Sequence, residues 1–420
     1  MEKNEILVVY GRQYKAMTRE ILCQAGLADM IGNRNTLVGI KPNLLGQVLA
    51  EEGGTTHPCV IEGLIEYLQE NGFRNLVMLE GSWVGDSTQE TIKYCGFDRI
   101  SREYQVPFWD MQKDKARKTD CGGMELNICE RALKVEFLIN VPVLKGHCQT
   151  KITCALKNMK GLIPNSEKRR FHRMGLQEPI GHLSVGIHQD FILVDSICGD
   201  LTFEDGGNPV EQNRLITATD PVLCDTYGCY LLDIPLEAVP YISIASGLGV
   251  GSCHLADAVV RVFSEKESDT GITYAEGNQI PAERIEEIRT HLASPDLSDE
   301  MKHTGGEETN MWEKEAKEAC AGGYRQVMKL AEKAEAVDSC SACYGYLIPA
   351  LQMLEQDHLL EKLREKICIG QGYRGKTGEL GVGNCTCRFN HTVSGCPPTE
   401  NQIYEFLKEY IQGNQETGTN

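Results

Sequence analysis

Five cysteines near the C-terminal end of the chain are the residues best suited to chemistry. Cys340 and Cys343 have the CxxC spacing within DSCSACYGYL, and GVGNCTCRFNHTVSGCPP adds Cys385, Cys387 and Cys396. Thiolates prefer soft metals, and four of them can hold either a tetrahedral zinc ion or an iron-sulfur cluster. We expect four of the five to be ligands, with Cys387 competing for the place of Cys385.

The residues around these cysteines favour an iron-sulfur cluster, of the [4Fe-4S] type, over structural zinc. Two prolines follow Cys396, as proline follows the last cysteine of bacterial ferredoxin runs. The second half of the segment also lacks the repeated CxxC of a zinc ribbon. Zinc remains the alternative. Burial as ordinary small residues is a weaker interpretation, because five cysteines in so short a segment exceed average usage.

GQGYRGKT, at residues 370–377 of the same region, matches the P-loop pattern letter by letter. A working P-loop opens a helix whose N-terminus faces the phosphates. The residues that follow include Gly378, Gly381 and Gly383, and each glycine costs a helix about 1 kcal/mol relative to alanine. We therefore interpret the match as a coincidence.

A second group of polar residues stands where the apolar segments of the first 200 residues end. Each residue alone has the ordinary interpretation of a solvated strand end. In sheets of parallel strands, however, ligands bind outside the carboxyl ends, so these side chains are expected to converge on one site. The members are Lys41, Asn43, Glu80, Lys145, His147 and Asp195.

The segment LKGHCQTKITCALKNMKG adds basic residues to this group. If it is helical, Thr153, Lys157 and Lys160 lie on one stripe, and Asn158 lies beside them. A basic cluster on an acidic chain predicts an anionic ligand, such as a carboxylate or a phosphate. A solvated amphipathic face explains the same spacing equally well.

The sequence also suggests roles for these residues. His147 is the candidate for proton transfer, with Lys145 beside it, because the ordinary pKa of histidine lies nearest to neutrality. Clustered ammonium groups repel one another unless a carboxylate or a bound anion lies between them. Glu80 and Asp195 are the candidate partners within the protein.

Bulk composition limits the classes of partner. The chain of 420 residues has 60 acidic and 42 basic residues, a formal charge of -18, which argues against nucleic acid and anionic membranes as partners. Its N-terminal residues contain no signal-peptide pattern, and no apolar stretch is long enough to span a bilayer. Eighteen cysteines scattered through such a chain indicate reduced thiols, with a subset bound to metal. We expect a cytoplasmic protein.

The pattern up to residue 265 predicts an α/β domain, a largely parallel sheet with helices on both faces. EILVVY, TLVGIK, NLVMLE, FLINVPVL and FILVDSI are the predicted strands. A helix opens at Pro58, capped by Thr56 or His57. Residues 266–335 are predicted to connect, mostly as helix, to a small cysteine-rich α+β module at 336–413.

These segments resemble the family called domain of unknown function 362. The likeness covers roughly residues 1–265 and includes KPN, LEGS, TDPVLCDTYG and the fairly specific signature LKGH...T...LKNMKG. Members of that family often carry ferredoxin-like segments, so the resemblance also implies an iron-sulfur cluster. This chain lacks their tandem CxxCxxCxxxCP runs.

Two functions fit these features. The first is a redox enzyme of anaerobic metabolism, in which the cluster passes electrons to a small anionic substrate. An electron-transfer protein is the expected partner of such a cluster. The alternative is a non-redox isomerase, racemase or lyase acting on a hydroxy acid, with His147 and a lysine as acid and base. A cluster carrier without catalysis is a third possibility.

Overall fold

A nine-stranded mixed sheet forms the centre of the computed structural model, which describes residues 1–201, 209–268, 271–276 and 323–416. Five neighbouring pairs are parallel and three are antiparallel, so the predicted α/β class with a largely parallel sheet is confirmed. The strands, in their order across the sheet, are β13 (Gly271–Glu276), β12 (Val259–Ser268), β1 (Glu5–Tyr10), β11 (Pro209–Ala218), β10 (Phe191–Asp200), β7 (Phe137–Val141), β2 (Val38–Pro42), β3 (Leu76–Glu80) and β4 (Phe108–Asp110).

Helices cover both faces of this sheet, because alternate residues of each strand point to opposite sides. Leu7 and Val9 of β1 belong to one core, and Ile6 and Val8 to the other. The helices of this part of the chain are α1 (Tyr14–Ala25), α2 (Leu27–Ile31), α3 (Pro58–Glu70), α4 (Thr88–Tyr94), α5 (Phe97–Glu103), α6 (Ala155–Asn158), α7 (Asn165–Met174), α8 (Gln177–Gly186), α9 (Pro221–Leu231) and α10 (Pro240–Gly247). None of the described helices has the length and apolar composition needed to cross a membrane.

Of the two predicted caps of α3, His57 is the one observed. Its ring accepts a hydrogen bond from the Cys59 backbone N–H at 3.1 Å. Thr56 instead donates its hydroxyl to the Val141 carbonyl at 2.9 Å, which ties the start of α3 to the end of β7.

The carboxyl ends of β2, β3 and β7 lie side by side, because β2 pairs in parallel with both of the others. Lys41 is opposite Asn140 in the register of β2 and β7. Glu80 is the last residue of β3. The residues that follow these strands therefore meet at one edge of the sheet.

The segment after β7 is not the continuous helix that the lysine spacing suggests. It forms a hairpin of β8 (Lys145–His147) and β9 (Lys151–Thr153), and helix begins only at Ala155. The β-branched Ile152 and Thr153 favour strand. The buried Asp225 carboxylate then accepts the Ala155 backbone N–H at 2.7 Å, which fixes where α6 starts.

The C-terminal residues form a smaller unit with its own sheet and core. All its strand pairs are parallel. Its strands and helices are α11 (Gly323–Ala331), β14 (Ala334–Ala336), α12 (Ser341–Gln356), β15 (Ile367–Ile369), β16 (Leu380–Val382), β17 (His391–Val393) and α13 (Glu400–Glu416). Leu347 and Leu351 of α12 pack with Leu407 of α13 in the core of this unit.

A separate hairpin of the first unit joins β5 (Ala116–Asp120) to β6 (Glu125–Cys129).

Both units extend beyond the boundaries that the sequence predicts. The large sheet continues through β12 and β13 to Glu276, which forms an ion pair with Arg261 of β12. Val327 and Leu330 of α11 belong to the C-terminal core, so that unit begins before residue 336. Residues 277–322 of the predicted connecting region lie outside the described residues.

We predict that Gly199→Ala destabilises the protein by about 1–3 kcal/mol through overpacking. A Cβ at Gly199 would lie 2.4 Å from the Leu144 carbonyl oxygen, directly before the β8 hairpin. Gly247→Ala is the matched control, because its Cβ would meet nothing within 4 Å. Urea unfolding should separate the two variants. Equal midpoints would show that the hairpin shifts without cost.

Candidate functional site

One cavity of about 230 Å³ lies between the carboxyl edge of the large sheet and the C-terminal unit. The first unit lines it with residues that follow β2 and β3, with residues of the β8–β9 hairpin, and with residues of α6 and α7. The C-terminal unit lines it with four cysteines and the loops around them. The two residue groups selected from the sequence therefore face the same space.

The cavity is strongly cationic, in a chain of net charge -18. Among the described residues that line it, Glu80 is the single carboxylate. Positive groups gathered in a partly enclosed space favour an anionic ligand. The cationic wall consists of Lys145, Lys157, Lys160, Lys168, Arg169 and Arg374.

Lys145, Thr153 and Lys157 form a contiguous part of this wall. Lys145 is opposite Thr153 in the β8–β9 register, and Lys157 Nζ donates to Thr153 Oγ1 at 3.0 Å. The Lys145 ammonium also donates to the Gly54 carbonyl at 2.6 Å. Both lysines are buried. Two ammonium groups around one hydroxyl suit the oxygens of a carboxylate or a phosphate.

The floor of the cavity is Glu80, whose buried carboxylate pairs with a lysine that does not itself line the cavity. Lys41 Nζ lies 2.5 Å from Glu80 Oε2 and also donates to Asn158 Oδ1 at 3.1 Å. Burial lowers the pKa of Lys41, and the Glu80 carboxylate opposes that change. Asn158 is held in turn by the Asn43 amide at 3.1 Å. The pair thus connects the ends of β2 and β3 to α6.

Two further features of the floor bear on ligand binding. A Cβ at Gly161 would lie 1.8 Å from Glu80 Oε1, so the last residue of LKNMKG has to be glycine for the chain to pass this close. Asn43 Oδ1 is buried and has no hydrogen-bond partner among the described residues. A ligand or water that donates a hydrogen bond would satisfy it.

Lys168 of α7 also lines the cavity. Its ammonium donates to the carbonyls of Gly81 and Ser82, at 2.6 and 2.8 Å. Burial lowers its pKa to about 8; Glu80 counteracts this effect and Lys41 adds to it. Lys168 therefore titrates close to neutral pH, unlike an ordinary lysine.

The cysteine wall contains Cys340, Cys343, Cys385 and Cys396, and Cys387 is exposed and does not line the cavity. Cys340 is the N-cap residue of α12, so the positive end of the helix faces the thiols. The Asn384 backbone N–H donates to the Gly395 carbonyl at 2.9 Å, and this contact brings the segments of Cys385 and Cys396 together.

The four thiols influence one another electrostatically. Burial raises the pKa of Cys340, and the nearby Cys385 and Cys396 raise it further. Burial, followed by the neighbouring Cys340, Cys396 and Cys385, raises the pKa of Cys343 to about 12. Gln371 donates to the Cys340 sulfur at 3.4 Å. A hydrogen bond to the Cys385 sulfur raises the pKa of Arg374. Deprotonated thiols here would require a compensating cation.

Among the described residues, no three of the four cavity sulfurs lie within 4.8 Å of one another. Four thiolates around one zinc ion, with bonds of about 2.3 Å, stand roughly 4 Å apart. Within the described chain, the three ligating groups that lie within 4.8 Å of one another are Cys154, Cys224 and Asp225, and the cavity cysteines form no such group.

The buried group of Cys154, Cys224 and Asp225 has a structural explanation. The Asp225 carboxylate accepts hydrogen bonds from the backbone at Ala155 and Leu156 and from the Cys154 thiol. Burial raises the pKa of Asp225 to about 7. The group therefore holds the start of α6, from which Lys157 and Asn158 extend.

The structure brings only part of the predicted site together. Lys145, Lys157 and Lys160 line the cavity with Asn43, Glu80 and Asn158. Lys41, His147 and Asp195 do not line it, so the expectation that all of these residues surround one pocket needs correction. Lys41 lies beneath Glu80. The side chains of His147 and Asp195 accept hydrogen bonds from backbone N–H groups.

His147 is buried, and its Nδ1 accepts backbone N–H groups of Gln149 and Thr150 at 3.0 and 3.2 Å. It therefore stabilises the turn of the β8 hairpin. The buried Asp195 carboxylate accepts the His57 N–H at 2.6 Å and the Ile197 N–H at 3.0 Å. Burial raises its pKa. Both side chains therefore bind backbone N–H groups and do not line the cavity.

Sequence reasoning missed several lining residues, namely Trp83, Lys168, Arg169, His172, Gln371 and Arg374. The basic run EKRRFHR, which becomes α7, was a usable signal in so acidic a chain. Gln371 and Arg374 come from the segment that imitates a P-loop. There the chain forms a short 3-10 turn and no phosphate-binding helix follows within residues 374–383.

Comparison with known proteins agrees with the resemblance noted in the first unit. Residues 38–230 match the family described as domain of unknown function (DUF362). This range includes the hairpin, α6 and α7, and it ends before the cysteine wall. A thylakoid-associated protein of Synechocystis sp. is 22% identical over 223 residues, which are 50% of this chain and 67% of that protein.

Solved structures give weaker matches. The lactate racemase apoprotein from Thermoanaerobacterium thermosaccharolyticum aligns with a TM-score of 0.38 and 14% identity, over 54% of this chain and 56% of that one. A Thermotoga maritima protein aligns with a TM-score of 0.30 and 12% identity, over 78% and 61% of the two chains. The chain thus matches little more than half the length of these structures. TM-scores this low indicate nothing about its activity.

We predict that Lys41→Met lowers the free energy of unfolding by about 3–5 kcal/mol, because it leaves the Glu80 carboxylate buried without its cation. Adding Glu80→Gln should restore a large part of that loss, since the amide needs no counter-charge. Denaturant unfolding of the single and double variants measures the coupling. A single variant that costs under about 1 kcal/mol would contradict the assignment.

Anion binding should weaken as the pH rises through about 8, because Lys168 then loses the proton that makes it cationic. The lowered pKa places this change well below the range of an ordinary lysine. Titration calorimetry with benzoate between pH 6.5 and 9.5 measures it. Lys168→Gln should bind weakly and without this pH dependence. An unchanged pH profile in the variant would assign the titration to another group.

Proposed function

We propose that this protein holds an iron-sulfur cluster on Cys340, Cys343, Cys385 and Cys396 and catalyses a redox reaction on a small anionic substrate in the adjoining cavity. One observation carries the proposal, namely that the four thiols and the six cations line the same cavity. When bound, such a cluster supplies one-electron transfer.

The cationic wall is what favours an enzyme over a simple electron carrier. A carrier needs its cluster near the surface and has no use for an anion site beside it. Here Lys145 and Lys157 would neutralise the charged group of the substrate, and the glycines of the cysteine loops leave room for a ligand close to the thiols. An electron-transfer protein is the expected physiological partner.

The residues on the thiol wall also fit the proposed cluster. Four thiolates with an inorganic cluster carry net negative charge, and Arg374 together with the N-terminus of α12 would offset it. A cytoplasmic location remains part of the proposal, because so many free thiols suit a reducing compartment.

A non-redox isomerase, racemase or lyase is the second candidate, and Lys168 is the observation that favours it. A buried lysine with a pKa near 8 that lines a substrate cavity is suited to proton transfer. Lys168 then takes the role that the sequence suggested for His147. Turnover that survives bleaching of the cluster would favour this candidate, and turnover that is lost with the cluster favours the redox enzyme.

Anaerobically prepared protein should contain about four iron and four sulfide ions per chain. Replacing Cys340, Cys343, Cys385 or Cys396 by serine should each lower this content and bleach the visible absorption. Cys387→Ser and Cys23→Ser are the controls and should keep the parent spectrum, since neither residue lines the cavity. Colourless protein that contains zinc, or a loss caused by Cys387→Ser alone, would contradict the ligand assignment.

A further inference from the structure

An apolar wall completes the cavity beside the cationic one. It is contributed by both units and consists of Leu44, Leu45, Trp83, Val84, Val382 and Pro397. Trp83 is half-buried and packs against Tyr346 of α12 with ring centroids 6.2 Å apart. A hydrophilic anion alone would leave this wall in contact with water.

The loop that carries Trp83 is held in place by several hydrogen bonds. The Trp83 N–H donates to the Leu45 carbonyl at 2.7 Å, and Gln112 donates to the carbonyls of Ser82, Trp83 and Asp86 at 3.2, 3.3 and 2.9 Å. The Lys168 ammonium binds the same loop at Ser82. The apolar wall is therefore formed before any ligand arrives, which lowers the entropic cost of binding.

The apolar wall meets the cationic one where the Lys168 ammonium binds the carbonyls of Gly81 and Ser82, directly before Trp83. The Leu44 N–H donates to Glu80 Oε2 at 3.3 Å, and the Gly81 N–H donates to Glu80 Oε1 at 2.7 Å. Leu44 and the Trp83 loop thus begin directly beside the polar floor. A ligand that reaches both walls has its charge and its apolar part close together.

We propose that the substrate carries an aromatic ring joined to its anionic group, as in an aromatic carboxylate. The inference deepens the proposed function and depends on its anion site. An indole face and aliphatic side chains complement a flat apolar ring. An aryl phosphate shares this chemistry and is distinguished by the experiment.

Titration calorimetry of the cluster-loaded protein, with benzoate, cyclohexanecarboxylate and acetate, tests the inference. Benzoate should bind at least about tenfold tighter than acetate, because of the apolar surface that it buries, and tighter than cyclohexanecarboxylate, because of its flat ring. Trp83→Leu should lower the affinity for benzoate about tenfold and leave the affinity for acetate unchanged. Trp83→Phe should keep the preference for benzoate. Phenyl phosphate and inorganic phosphate form the second pair, and whichever aromatic ligand binds tighter identifies the charged group.

Two results separate the failure of this inference from the failure of the proposed function. Equal affinities for benzoate and acetate, or a Trp83→Leu variant that keeps the preference of the parent protein, would contradict the aromatic ring of the substrate. Neither result would contradict the anion site. Lys157→Ala should weaken all the anions together. If no anion binds the parent, or if Lys157→Ala binds all of them as the parent does, the anion site itself is wrong.

Discussion

The buried ion pair between Lys41 and Glu80 is the contact on which the rest of the site depends. It joins the ends of two neighbouring parallel strands, and its carboxylate also binds the backbone of Leu44 and Gly81, where the apolar wall begins. Glu80 leaves no room for a side chain at residue 161, so the KNMKG segment can pass beside the pair only with Gly161 at its end. Buried ion pairs add little net stability, because desolvating both charges offsets their attraction. Its contribution is to fix the arrangement of the side chains around it.

The charge distribution explains why this edge of the sheet can bind an anion while the whole molecule is acidic. Long-range repulsion from the surface acts through solvent and is screened beyond about 10 Å. Within the cavity the cations are close together and partly removed from water, so their attraction for a bound anion is stronger. The carbonyls of Gly54, Gly81 and Ser82 hold Lys145 and Lys168 in position without neutralising them.

The sheet could be predicted from the sequence, because apolar runs such as FLINVPVL and FILVDSI are buried on both faces and leave a local pattern. The convergence of Glu80, Lys145 and Lys157 followed from the topology of parallel strands. The hairpin at residues 145–153 was missed, since a spacing that suits a helix also suits two short strands separated by a turn. Arg374 could not be placed, because it reaches the cavity only through tertiary packing of a distant segment.

The central claim is that a cluster on the four cysteines and an anion on the lysines occupy one cavity. Electron-nuclear double resonance of the reduced protein with benzoate, labelled with carbon-13 at the carboxylate, tests it most directly. We predict a resolved carbon-13 coupling to the electron spin of the cluster in the parent protein, and its loss in Lys157→Ala. Benzoate bound at full occupancy by calorimetry, with no carbon-13 coupling, would contradict the shared cavity.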